Sequence, residues 1–282
     1  MKLTMTNDAN QTNAIIGIYG PPKSGKTFSL STALPLGDVL HVSSPGEGNA
    51  GSSLRDYGIK SVTLENYTDL MTLESALLNK PPDWVGEAAD QPVSKLKLPL
   101  DPAAVQRMRE FIGGVPATIA IDGIKSFQSD IFGGQSIAFY NKDTGVGRYG
   151  DIADMTRIHL QRLALVPNVK MVIFITQDQQ VNDKSMGGQE ASYREMAFEG
   201  NASRGIIPPM CDMVLPIFSC AQLGDAFKPW RFGEEVRDRY FALVPVMGYW
   251  AGARVGLVNQ TSIKADLSYI YQKFYSKEAV KK

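Results

Sequence analysis

The stretch GIYGPPKSGKTFSL, Gly17 to Leu30, constrains this chain more than any other part of it. Gly20-Pro21-Pro22-Lys23-Ser24-Gly25-Lys26-Thr27 fits the spacing G-x-x-x-x-G-K-[ST] without a gap. Glycines at 20 and 25 let successive backbone N–H groups curl inward, and a helix starting at Lys26 adds its unpaired N–H groups to the same cavity. Lys26 then reaches the β- and γ-phosphate oxygens as a point charge, and the Thr27 hydroxyl completes the shell of a magnesium ion. The expected nucleotide site is Gly20, Pro21, Pro22, Lys23, Ser24, Gly25, Lys26, Thr27 and Phe28, with ATP and Mg2+ as ligands. A purely structural glycine turn competes with this reading. Against it stands the context, since Ala14 to Ile18 reads as a buried strand and GKTFSLSTAL as a helix that stops near Pro35.

Further strands are expected at Asp38 to Ser44, in SVTLEN, at Thr118 to Ile121 ending at Asp122, and at Lys170 to Thr176 ending at Gln177. Continuous apolar runs without polar alternation suit central parallel strands covered on both faces. MCDMVLPIF returns as a strand near the far side of the sheet, and RYFALVPVMGYWAGARVGLV reads as an antiparallel hairpin at its edge. Helices are expected from Thr68 or Asp69, with Leu70, Leu73 and Leu77 on one face, and over DIADMTRIHLQRLAL, with Ile152, Met155, Ile158 and Leu163 on another. The fold class is therefore α/β, a mostly parallel central sheet with helices on both faces and an antiparallel C-terminal edge. One domain spans 14–275, with a flexible stretch before it, a short tail after it and a proline-rich irregular insertion near 81–102.

Ligands of open α/β sheets gather at the C-terminal ends of the strands. Asp122 ends an apolar strand cleanly and is the expected second magnesium group, from a strand beside the phosphate loop; the competing role is a cap on DGIKS. No Glu follows Asp122, so the water-activating base is sought elsewhere. Glu47, in SSPGEGN after the second strand, either faces the γ-phosphate or is a solvated loop acid. Gln177 either orients water and reports the γ-phosphate or is a surface amide.

Lys and Arg number 29, as do Asp and Glu, so the net charge is 0 and any nucleic-acid binding must come from a local patch. Cys211 and Cys220 have no zinc or redox spacing and read as buried free thiols. The N-terminal residues lack the apolar core of a signal peptide, and a soluble cytoplasmic protein is expected, in the host cytoplasm if the chain is phage-encoded.

Taken together, GPPKSGKT, SSPGEG, ENYTDL, TIAID, RYGD and FITQ occur in an order that resembles the RecA-like P-loop ATPase core, and more closely the phage-type AAA-domain proteins associated with single-strand annealing and recombination. The likeness runs from about Ala14 to Leu257, and the family often carries a histidine where Gln177 stands. The resemblance implies Mg-dependent ATP hydrolysis with Glu47, Lys26 and Gln177 in catalytic roles, and a head-to-tail homo-oligomer in which a basic residue reaches the neighbour's γ-phosphate. That residue is matched here by Arg254, although Gly252 stands where a lysine is usual; a solvated edge arginine is the alternative. The loops that contact DNA in RecA relatives look like Tyr140 to Gly150 and Gln179 to Gly205, so Lys142, Arg148, Lys184, Arg194 and Arg204 are the implied DNA-binding residues. Single-stranded DNA and a single-strand annealing or binding protein are the implied partners. A nucleotide-binding structural or assembly protein with little turnover is the competing reading, and a P-loop kinase is disfavoured because no arginine-rich lid follows the core.

Overall fold

In the computed structural model, which describes residues 13–48, 50–79, 100–133, 148–183, 191–219, 239–245, 248–253 and 261–276, the expected apolar runs form the middle of one large sheet. Strands β1 (Ala14–Gly20), β2 (Val39–Ser43), β3 (Lys60–Thr63), β4 (Thr118–Asp122), β5 (Met171–Asp183) and β7 (Met213–Ser219) lie in the order β7-β1-β5-β4-β2-β3, every neighbouring pair parallel. The antiparallel edge follows from β8 (Arg239–Ala242) on β7 and β10 (Ser262–Lys264) on β8. The two-residue β9 (Gly252–Ala253) also pairs with β7, so β8 and β9 do not form the expected hairpin with each other.

Side-chain alternation along these strands divides the core into two layers. Ile16, Ile18, Ala120, Ile173, Ile175 and Leu215 face one side, where they pack with Leu30, Ala33, Leu267 and Ile270. Tyr19, Ile119, Ile121, Val172, Phe174 and Val214 face the other, against Leu70, Phe127, Ile152 and Leu163. A strand apolar on both faces is the pattern a doubly covered parallel sheet demands.

Several expectations need correction. β4 is not beside β1, because β5 lies between them and hydrogen-bonds to both. MCDMVLPIF is not at the far side but directly pairs with β1. β5 does not stop at Thr176; it runs on to Asp183 and pairs antiparallel with β6 (Ala191–Met196), so much of the supposed Gln179 to Gly205 loop is a two-stranded ribbon followed by the helix Asn201–Met210. The polar sequence QDQQVND conceals this because neither of its faces enters the core. The segment Thr27–Leu36 is helical to Leu36, but in 3₁₀ form, with Ser29, Ser31 and Thr32 hydroxyls donating to carbonyls three residues back.

The helices are α1 (Tyr67–Leu78), α2 (Pro102–Ile112), the single turn α3 (Ile124–Phe127), α4 (Arg148–Ala164), α5 (Asn201–Met210) and α6 (Leu267–Phe274). α1 is capped two to three residues earlier than expected: the Asn66 side chain accepts from Asp69 N–H at 3.1 Å and Asp69 Oδ2 accepts from Glu65 N–H at 2.9 Å. α2 emerges from the end of the proline-rich segment, capped by Asp101 and opened by Pro102. Residues 80–99, Cys220 and the ends 1–12 and 277–282 lie outside the described residues, while Cys211 is buried and its thiol donates to Ile207 O at 3.2 Å. Among the described residues no helix is long and apolar enough to cross a membrane.

A buried polar knot ties α1 to α4. Glu74 Oε1 meets His159 Nδ1 at 2.5 Å, Glu74 Oε2 lies 3.5 Å from Arg162, and His159 Nε2 meets the Tyr67 hydroxyl at 3.2 Å. Desolvation holds the Tyr67 hydroxyl well above its ordinary pKa, so it stays a neutral partner in this knot. Removing the carboxylate takes the acceptor from His159 Nδ1 and a buried counter-charge from Arg162, so Glu74→Ala is expected to lose about 3 kcal/mol of stability. Urea unfolding measures it, and a loss near zero would show that the knot contributes nothing net.

Candidate functional site

The phosphate loop hangs between the end of β1 and the helix at Thr27. Its backbone runs through Gly20 at φ 154°, Lys23 at φ 63° and Gly25 at φ 91°, and Ser24 N–H closes a turn on Pro21 O at 3.3 Å. Positive φ at Gly25 and Lys23 turns the loop in on itself, as an anion-holding concavity requires. The next helical hydrogen bonds come from Ser29 N–H to the Gly25 and Lys26 carbonyls, so the N–H groups of Lys26, Thr27 and Phe28 stand ahead of the helical ladder.

Lys26 folds over this loop and donates to Gly20 O and Pro21 O, both at 2.8 Å. Burial lowers its pKa, and Asp122, Asp178 and Glu47, in that order, oppose the shift. A partly desolvated ammonium held on two neutral carbonyls gains on meeting a phosphate.

Asp122 is the best anchored carboxylate of the site. Its Oδ2 accepts from the Thr27 hydroxyl at 2.6 Å and lies 3.3 Å from His41 Nε2, while His41 Nδ1 meets Ser61 Oγ at 2.7 Å. The fully buried His41 of β2 thus holds Asp122 from behind, which the sequence analysis missed. The available signal was a histidine inside an otherwise apolar strand. A hydroxyl and a carboxylate in contact are hard oxygen donors that suit magnesium, which takes one or two protein oxygens beside substrate phosphates. Among the described residues no cluster of three or more His, Cys, Asp or Glu side chains offers a rival metal cage.

Glu47 sits on a one-turn 3₁₀ segment, Pro45–Glu47, fixed to the neighbouring strand end. Its Oε1 accepts from Ser126 Oγ at 2.6 Å, and Gly46 N–H donates to Asp130 Oδ2 at 3.0 Å. The carboxyl lies on Gly123: a Cβ there would come 2.0 Å from Glu47 Cδ, and Gly123 already has φ 73°. Gly123 follows Asp122 because a side chain in that place would expel Glu47.

Pro22, Lys23, Lys26, Thr27, Glu47, Asp122 and Gln177 line one cleft of about 660 Å³. Gln177 pairs in register with Gly20, at the mouth. The cleft also has Asp178 and Glu199, neither singled out from sequence. Glu199 is positioned through Gln128, a fully buried amide that accepts from Glu199 N–H at 2.9 Å and donates to Ser203 and Thr156 hydroxyls at 2.9 and 3.0 Å.

Arg194 and Arg204 are not in the cleft lining. Arg194, on the ribbon, is ion-paired with Asp178 and sits 5.8 Å from the Tyr249 ring centroid; Arg204, on α5, is paired with Glu195. Lys142, the Arg148 side chain, Lys184 and Arg254 lie outside the described residues, although Gly252 of β9 places the chain just before Arg254 against Val214 of β7.

Two substitutions separate metal from base. Asp122→Asn should raise the magnesium concentration needed for half-maximal nucleotide turnover by roughly tenfold or more, and an unchanged magnesium dependence would remove Asp122 from the metal. Gly123→Ala should keep nucleotide affinity within about twofold while cutting kcat by roughly a hundredfold, the low end of general-base contributions.

No curated protein matches the sequence. A model of the AAA domain matches residues 12–255, and the chain therefore belongs to the AAA domain family, within the P-loop NTPase superfamily of nucleotide-binding ATPases.

Proposed function

We propose that the protein binds Mg-ATP at the phosphate loop and hydrolyses it, as a RecA-like phage protein that supports DNA recombination or replication and works with single-stranded DNA. The observation that carries this reading is the convergence of Lys26, Thr27, Glu47, Asp122 and Gln177 on one cleft at the C-terminal ends of parallel strands. Thr27 and Asp122 would hold magnesium, which when bound neutralises charge on the β- and γ-phosphates. Glu47 takes a proton from a water in the cleft, and the resulting oxygen attacks the γ-phosphorus as the bond to the β–γ bridging oxygen breaks, leaving ADP and phosphate. Lys26 stabilises the charge that gathers on the phosphoryl oxygens. Gln177 orients the water from the β5 tip.

In this reading the nucleotide lies at a subunit edge, and Arg254 of a neighbouring copy completes it. Bound ATP then favours head-to-tail assembly because it rewards a charge that an empty site does not. Arg194 on the ribbon, Arg204 on α5 and the loop near Arg148 would line a shared channel for single-stranded DNA. A nucleotide-stapled assembly protein with little turnover is the second reading, favoured by the ion pairs that already occupy Arg194 and Arg204 and by Gly252 in place of a lysine.

Titration with a fluorescent ATP analogue should show affinity falling by roughly a hundredfold or more in Lys26→Ala with the fold intact, since charge-assisted phosphate contacts are lost; equal binding would sink the nucleotide site. Sedimentation with a labelled oligonucleotide should show ATP-dependent assembly and DNA binding that drops steeply with salt, both lost in Arg254→Ala. A protein that stays monomeric, or assembles equally without nucleotide and ignores DNA, selects the second reading.

A further inference from the structure

Gly25 and Phe28 belong to the phosphate loop but not to the lining of the cleft. Both are covered by a side chain from the antiparallel edge of the sheet. Arg239 opens β8, paired with Ser219 of β7, and its carbonyl accepts from Ala265 N–H at 2.8 Å, so its backbone is held on two sides. The side chain lies directly on Gly25, where a Cβ would fall 1.9 Å from Arg239 Nε. Its guanidinium carbon is 4.5 Å from the Phe28 ring centroid, and Phe28 in turn meets Tyr57 edge-on at 5.6 Å. Arg239 Nε is buried and finds no hydrogen-bond partner among the described residues.

We infer that Arg239, seated on Phe28, is the nucleobase platform of this site, and that it favours a purine. The inference rests on the nucleotide reading above, which sets the direction of the ligand. Lys26, Thr27 and Asp122 collect at the β- and γ-phosphate end, and the α-phosphate follows at the head of the helix. The nucleoside therefore leaves the loop past Thr27, where Phe28 and Arg239 stand. A guanidinium is planar, weakly hydrated and stacks on aromatic faces, so one face rests on Phe28 and the other can take a base. The Nε–H supplies a donor for an acceptor on the nucleoside, which accounts for a buried donor with no partner of its own. Two fused rings cover more of such a platform than one, hence the preference for purines.

Inorganic tripolyphosphate carries the phosphates without the base, and it separates the platform from the loop. In the wild-type chain, calorimetric titration with magnesium present should rank ATP above CTP and CTP above tripolyphosphate. Arg239→Ala should weaken ATP roughly tenfold, within the range of single base-stacking contacts, and leave tripolyphosphate unchanged. Arg239→Lys, which keeps the charge and removes the planar face, should behave like Arg239→Ala, and Phe28→Leu should shift ATP in the same direction. Thermal unfolding of each variant establishes that it is folded. If ATP and tripolyphosphate weaken together in Arg239→Ala, or if Arg239→Lys restores ATP binding, Arg239 acts as a charge and the platform is overturned. Unchanged affinities for both ligands overturn it equally. A wild-type protein that binds neither ligand defeats the nucleotide reading itself, an outcome distinct from both.

Discussion

The first half of β5 is hydrogen-bonded to β1 on one side, as far as Gln177 opposite Gly20, and to β4 on the other, as far as Ile175 opposite Asp122. This register decides where every reactive group can stand. The strand that delivers the phosphate loop and the strand that delivers Asp122 are two strand spacings apart, roughly 10 Å. Thr27 bridges that gap because it sits on the helix after the loop rather than on β1, and the 2.6 Å contact with Asp122 closes it. Gln177 is then carried to the mouth of the cleft, between the two. Glu47 comes from one strand further still and reaches the same space only because Gly123 has no side chain.

The electrostatics follow from this arrangement. One half-buried lysine faces Asp122, Asp178 and Glu47, and desolvation still lowers its pKa against all three. The carboxylates are each tied to other donors: Asp122 to Thr27, Glu47 to Ser126, Asp178 to Arg194 and Tyr249. Burial, together with Asp178, pushes the Tyr249 hydroxyl up to about 12, so it remains a donor to that carboxylate at any ordinary pH. Lys26 is thus near anions without being committed to one, and its own donors rest on loop carbonyls that a phosphate can replace.

Legibility in the sequence divides along burial. The phosphate loop, the strand ending at Asp122 and the apolar part of β5 up to Thr176 were readable because runs such as TIAID and VIFIT are apolar on both faces, and because the loop motif is local. Strand order was not, since nothing in TIAID or VIFIT says which lies next to β1; that is a property of crossovers. The β5–β6 ribbon was hidden by its polarity, and the start of α2 by the prolines before Asp101, although Asp101-Pro102 with Val105, Met108 and Ile112 spaced behind it is a helix signal. His41 and Arg239 act across distances of 81 and 214 residues, on Asp122 and Gly25 respectively, the differences of their own numbers, and no short pattern encodes such a pairing.

The ion pairs on the ribbon bear on how the protein can hold a polyanion. Arg194 already faces Asp178 and Arg204 already faces Glu195, so a phosphate backbone that took either arginine would exchange one anion for another. The Arg194 side chain is 46% exposed but that of Asp178 only 4%, so drawing the arginine onto a phosphate would leave a buried carboxylate with the Tyr249 hydroxyl as its remaining donor among the described residues, a cost that offsets the new contact. Exchange at one subunit therefore yields a small net gain in binding. The same exchange repeated along an assembly adds, because each further contact is made at the effective concentration set by the first. On the proposed reading a single-stranded DNA role would therefore require an oligomer, and nucleotide bound at a subunit edge would set whether Arg194 and Arg204 of several copies act together.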